Sequence, residues 1–113
     1  MANFYKNAFY DPTVTTAVTV YTCPSNANAI IQNIQVTNES GSKIVKASIN
    51  DDSTSTIYQI AYALITGPTI CNLANGPVIL EENDVIRLES SVTSGISATL
   101  AILEINRDDQ NGQ

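Results

Sequence analysis

From Val14 onward the chain alternates apolar and polar residues with a period of two, and Val, Ile and Thr fill much of that alternation. Successive side chains of an extended strand point to opposite faces, so this pattern specifies half-buried strands, where β-branched residues fit well. The expected strands are Val14–Thr22, Ala29–Asn38, Lys43–Asn50, Thr56–Ile65, Thr69–Leu73, Val78–Leu80, Val85–Ser90 and Ile96–Ile105. Between them lie Pro24-Ser25-Asn26, Glu39-Ser40-Gly41-Ser42, the polar tract Asp51–Ser55, Gly67-Pro68, Asn75-Gly76-Pro77, the acidic corner Glu81-Glu82-Asn83-Asp84, and Thr93-Ser94-Gly95. Each of these carries turn chemistry: a missing amide donor, a side chain that competes for the backbone, or a glycine free to take positive φ. No segment combines a 3.6-residue period with the length of a good helix. The expected fold is all-β: a single β-sandwich, jelly-roll-like or Ig-like, of seven to eight antiparallel strands with an extended N-terminal arm.

The alternation also assigns faces. Val18 and Val20 fall on one side of their strand, Ile30, Ile34 and Val36 on one side of theirs, with Asn33, Gln35 and Thr37 opposite. Val45, Ala47 and Ile49 point inward, as do Ile86 with Leu88, and Ile96, Ala98, Leu100 and Ile102. Thr56–Ile65 is different. It sets Tyr58, Ile60, Tyr62 and Leu64 on one side and Ile57, Ala61, Ala63 and Ile65 on the other, so both faces are apolar. Such a strand is either central in its sheet or covered by another chain.

At 113 residues the chain holds one core, with residues 1–13 as an arm, 14–106 as the sandwich and 107–113 as a polar tail expected to fray. Function classes fall away on composition. There is no histidine, the usual general base and metal ligand, and two cysteines alone do not make a zinc site. Without histidine the serines and threonines lack their usual base, and Lys43 and Lys46 sit on a strand expected to be half solvated. The five glycines are scattered, so no loop cradles phosphate, and a net charge of −6 disfavours nucleic acid. The start has no apolar stretch of signal-peptide length and no run is long enough to span a bilayer, so synthesis in a cytoplasm and no membrane partner are expected. Cys23 and Cys71 then read as small buried hydrophobes. The expectation is a protein that is not an enzyme and holds no cofactor and no metal.

Carboxylates Glu81, Glu82 and Asp84, and the pair Asp51-Asp52, do not have the spacing of a calcium loop and read as groups solvating turns. The aromatic residues are more telling: Phe4, Tyr5, Phe9 and Tyr10 are four of the seven in the chain. Aromatic side chains anchor interfaces, so these four are the candidate partner-binding residues, on an arm that docks against a neighbouring subunit. The other reading is a first segment folded back over its own core, and Lys6 and Asn7 between the aromatic pairs favour a lath lying on a surface. Ser, Thr and Asn supply 34 residues, while charged types make up 14%. A neutral surface of hydroxyls and amides suits a protein packed against copies of itself, because such groups pair without the desolvation cost of ions. Tyr58 and Tyr62, on one strand face, could alternatively form a platform for sugars, although core burial is the plainer expectation.

Three stretches carry a resemblance. Met1-Ala2-Asn3-Phe4-Tyr5-Lys6-Asn7-Ala8-Phe9, then Val20-Tyr21-Thr22-Cys23-Pro24-Ser25-Asn26-Ala27 leading into Ile30-Ile31-Gln32-Asn33-Ile34-Gln35-Val36-Thr37-Asn38, and finally Leu80-Glu81-Glu82-Asn83-Asp84-Val85-Ile86, together resemble small virion proteins of tailed bacteriophages, the cyanophage group especially. The likeness spans about residues 1–105 and its motifs are structural. It implies a virion location and a role in capsid decoration, neck or tail fibre, and it transfers no functional residue. The expected partners are copies of itself, with three as the expected number, and the major capsid protein or other virion proteins. The expected function is that of a cement protein bridging subunits of the outer shell; the alternative is a tail, neck or fibre component, or a module binding host-surface glycans.

Overall fold

A computed structural model describes residues 2–106, with Ala2 described through its backbone; the expected polar tail, 107–113, lies outside the described residues. Nine strands follow one another: β1 Ala2–Tyr10, β2 Val18–Thr22, β3 Ala27–Asn38, β4 Ser42–Asp51, β5 Thr56–Thr66, β6 Thr69–Asn72, β7 Val78–Leu80, β8 Val85–Ser90 and β9 Ile96–Asn106. Every pairing among them is antiparallel. The pairs nest: β1 with β9, β2 with β8, β3 with β6 and β7, β4 with β5. That is one long hairpin ribbon. Wrapped on itself, it gives a sheet in the order β1-β9-β3-β6, with β7 also on β3, facing a sheet in the order β2-β8-β4-β5. This is the strand order of an eight-stranded jelly roll whose sixth strand is broken into β6 and β7, so the jelly-roll alternative holds over the Ig-like one.

The break has a local cause. Asn72 Oδ1 accepts from the amides of Ile34 (2.9 Å) and Ala74 (3.1 Å), which pulls the chain out of the ladder and buries Leu73 and Ala74. Gly76, at φ +101°, then returns it to β3. The segment expected as an arm takes up the ninth strand: β1 pairs with β9 from Ala2↔Asn106 to Tyr10↔Ala98 and forms the edge of the five-stranded sheet. Residues 11–17 carry the chain across to the other sheet, so the strand expected from Val14 begins at Val18.

Inside, alternation gives the core. Ile34 and Val36 of β3, Leu100 and Ile102 of β9, Val45 and Ala47 of β4, and Ile86 and Leu88 of β8 are all essentially fully buried. Three bulges shift the faces read from the sequence, because one extra residue flips everything beyond it. Gln32 is the extra residue opposite β9, so Ile31 points inward and Ile30 outward, against the expectation that placed Ile30 with Ile34. Val20 is extra opposite β8, which turns Tyr21 toward the core side opposite Ile86. Ile60 is extra opposite β4, which parts Tyr58, opposite Ile49, from Tyr62, opposite Lys46.

Two buried polar groups stand at opposite ends of this apolar slab. Near one end Glu104 of β9, 3% exposed, accepts from Tyr21 Oη of the facing sheet at 2.5 Å and pairs with Lys6 Nζ of β1 at 3.1 Å. At the other, Asn38 Nδ2 donates to the carbonyls of Gly41 (2.8 Å) and Ile65 (3.0 Å), tying β3 to β5 and to the β3–β4 turn. The first arrangement has a pH signature. Burial, and then the bond to Glu104, push the Tyr21 hydroxyl well above its ordinary value of 10.0. Burial, and then the charge of Glu89, push Tyr10 the same way. Below pH 10 both states keep these protons and stability is unaffected; as pH rises further only the unfolded chain releases them, so stability falls. Urea midpoints measured from about pH 9 to about pH 12 should therefore decline, and Tyr21→Phe should flatten the decline without abolishing it, because Tyr10 remains.

Candidate functional site

The four aromatic residues singled out near the start divide by strand parity. Phe4, Lys6, Ala8 and Tyr10 share the inner side of β1, and Tyr10 is in the core at 4% exposure. Tyr5 and Phe9 point outward from the five-stranded sheet, 81% and 71% exposed. Tyr5 does not stand alone. Register places it beside Leu103, Leu103 beside Ile30, and Ile30 beside Ile79, so Tyr5-Leu103-Ile30-Ile79 form one cross-strand row over β1, β9, β3 and β7. Four adjacent strands carry such a row over about 14 Å. Cross-strand neighbours of this kind touch and form a continuous surface.

Amides border the row on both sides. Asn3 and Asn28 flank Ile105 in the next register position one way, and Asn7 and Asn33 flank Ala101 the other. Phe9 lies one position beyond, level with Thr99, Gln35 and Asn72. An open depression of about 480 Å³ sits between Tyr5, Asn7, Asn33 and Thr99. An apolar strip with a rim of neutral hydrogen-bonding groups is the anatomy of a protein-binding patch. The sequence singled out Tyr5 and Phe9 and the polar outward residues Asn33, Gln35 and Thr37. It missed Ile30 because of the Gln32 bulge, and Ile79 because a three-residue strand shows no periodicity.

The second exposed apolar region is β5. Far from being central, it is the edge of the four-stranded sheet, and Ile57, Tyr58, Ile60, Tyr62 and Leu64 are 39–65% exposed. Core burial of Tyr58 and Tyr62 is thereby overturned, and so is their shared face. With one tyrosine on each side of the strand they make no common platform for a sugar ring. The Lys46 ammonium lies over the Tyr62 ring, 5.4 Å from its centroid, and pairs with Glu89 at 3.7 Å.

Chemical machinery is sparse. Among the described residues, Asp51, Glu81 and Asp84 bring carboxylate oxygens within 4.8 Å of one another and are the group that could hold a cation. Their hydrogen bonds account for the grouping in another way. Asp84, 5% exposed, accepts from the amides of Asp52 (3.0 Å) and Glu81 (2.8 Å), clamping the β4–β5 turn to the corner before β8. Asp51 accepts from Thr54 Oγ1 at 2.8 Å, and that bond leads the causes that hold its carboxyl below the usual value. Asp84 is thus a buried clamp and not the solvated turn residue the sequence suggested. Cys23 is buried, Cys71 half-buried on β6, and they are not joined.

An eight-stranded jelly roll with an apolar row on one sheet and an unprotected edge on the other defines a class by fold and surface. No protein-family model matches the chain, and no curated protein matches it in sequence. Among solved structures it is similar to a chain of the T13 viral particle of infectious bursal disease virus, with a TM-score of 0.56 and 6% identity over 92% of this chain and 31% of that one. A chain of the Gx strain of the same virus gives a TM-score of 0.55 and 11% identity over 92% and 31%. This protein therefore spans about a third of the length of the chains it resembles, and at these identities the likeness is one of fold.

Proposed function

We propose that this protein is a non-enzymatic structural protein of a bacteriophage virion, and in its most specific form a capsid decoration or cement protein that binds the outer shell and bridges its subunits. The observation that carries this reading is the outward row Tyr5-Leu103-Ile30-Ile79 with its border of asparagines, on a fold similar to chains from an icosahedral viral particle. The tailed-phage assignment adds the sequence resemblance of residues 1–9, 20–38 and 80–86. The row and Phe9 lie against the major capsid protein, while other surfaces join copies of the chain. Each large side chain that goes from exposed to buried contributes about 1.5 to 3 kcal/mol, and a repeated shell multiplies such contacts. The acidic exterior suits a position away from packaged DNA.

Particles assembled without the protein, then incubated with it, test the reading. Wild-type chain should fill the shell and raise its resistance to heat. The double variant Tyr5→Ser, Phe9→Ser changes two exposed side chains, so it should fold normally and lose at least about tenfold in occupancy. Undiminished occupancy would remove this face from the mechanism. Labelling confined to the neck or tail of intact particles would replace decoration by the tail-component alternative.

A further inference from the structure

Exposed sheet edges invite pairing with other chains, and soluble proteins blunt them with short strands, bulges, prolines or inward-pointing charges. Three of the four edges here are blunted. β1 carries Lys6 pointing inward, β2 has five residues and a bulge at Val20, and the β6–β7 edge is broken into pieces of four and three residues. The fourth, β5, is left open. Its 11 residues, Thr56–Thr66, contain no charge and no proline, and its one bulge, at Ile60, leaves Ala61–Thr66 in regular register with β4.

We infer that β5 is the seat of a two-fold interface with a second copy of this chain, in which β5 pairs antiparallel with its counterpart and joins two four-stranded sheets into one. Two observations favour a second copy. The first is area. Exposed Ile57, Tyr58, Ile60, Tyr62 and Leu64 present about 100 Å² each. Antiparallel pairing covers the backbone edge and the partner-facing flanks of these side chains on both faces, an apolar contact at the low end of the size range of specific interfaces. The second is charge. Behind β5, strand β4 and its turn carry Asp51 and Asp52 at one end and Lys43 at the other, Lys46 between them being paired with Glu89. Antiparallel pairing about a dyad sets the acidic end of each copy near the basic end of the other; parallel pairing would set like ends together. Charges at that spacing choose orientation more than they add affinity.

A dyad closes on itself, so the unit is a dimer, and larger assemblies through this edge are excluded. The inference goes beyond the shell reading and is separable from it, because pairing in solution is measured without particles. Sedimentation of the full chain should give twice 12.1 kDa. Leu64→Lys, at a side chain 65% exposed, should leave the fold intact and weaken pairing by at least about tenfold. Hydrogen exchange guards against misfolding: β5 amides bonded to β4 should stay protected in both proteins, while those facing the partner should lose protection in the variant. Asp52→Lys should also weaken pairing, and Lys43→Glu added to it should restore it. A monomer at millimolar concentration, a trimer, or association indifferent to Leu64→Lys would overturn the inference.

Discussion

Lys6→Met is expected to lower the unfolding free energy by about 3 kcal/mol, read as a shift in urea midpoint at unchanged slope. The ammonium is 46% exposed on its own side chain, yet its partner is not: the Glu104 carboxylate is 4% exposed and faces the space between the sheets. Removing Lys6 leaves that charge with the Tyr21 hydroxyl as the bond to the facing sheet, and one neutral donor does not replace an ion pair and a donor together. The half-exposed lysine places the cost near the low end of the range for broken buried pairs. Removing the charge as well should relieve it. Lys6→Met with Glu104→Leu exchanges two ions for apolar groups in a largely apolar slab, which leaves the Tyr21 hydroxyl unpartnered at about 1 to 3 kcal/mol. Adding Tyr21→Phe should then bring stability close to wild type. A cost below about 0.5 kcal/mol for Lys6→Met alone would mean that Glu104 is hydrated and that the pair is an ordinary surface contact.

This pair also shows what the sequence could and could not reveal. Alternation identified the inward residues of β4, β8 and β9 correctly because those strands run without an extra residue on the stretch concerned. It failed at Ile30 and at Tyr58, each just beyond a bulge, and nothing at Gln32 or Ile60 marks a bulge as glycine often does. β5 was legible as apolar on both faces, but its place in the sheet depends on which strands its neighbours choose, and the ribbon wraps so that its tip strand lies at an edge. Of the outward row on the five-stranded sheet and its surroundings, Tyr5 and Phe9 stood out as aromatic residues in a polar stretch. Ile30, Leu103 and Ile79 join them only through register between segments separated by up to about 100 residues. Glu104 and Asn38 had no signal, since a carboxylate or amide in a strand reads as solvent-facing until its buried partners are known.

Gly67→Ala should cost about 2 to 3 kcal/mol, a large effect for adding one methyl group. A Cβ there would lie 2.8 Å from Asn38 Nδ2, 3.0 Å from its Cγ and 3.0 Å from its backbone oxygen. The side chain cannot step aside freely, because Nδ2 already donates to Gly41 and Ile65, and the Gly67 amide itself donates to the same Gly41 carbonyl at 2.9 Å. The backbone oxygen of Asn38 cannot step aside at all without moving β3. Asn38→Ala alone should cost about 2 kcal/mol, since it leaves the Ile65 carbonyl without its amide donor in a buried place. Combining the two should cost less than their sum by about 1 kcal/mol, because truncating Asn38 clears two of the three clashes and spares only the one with its backbone. Lys6→Met offers the control. Asn38 and the Glu104 neighbour Ala29 lie nine residues apart on β3, about 30 Å, so Asn38→Ala and Lys6→Met should add within about 0.5 kcal/mol. Coupling between those distant sites, or strict additivity between Asn38→Ala and Gly67→Ala, would contradict two independent polar pins holding the ends of the sandwich.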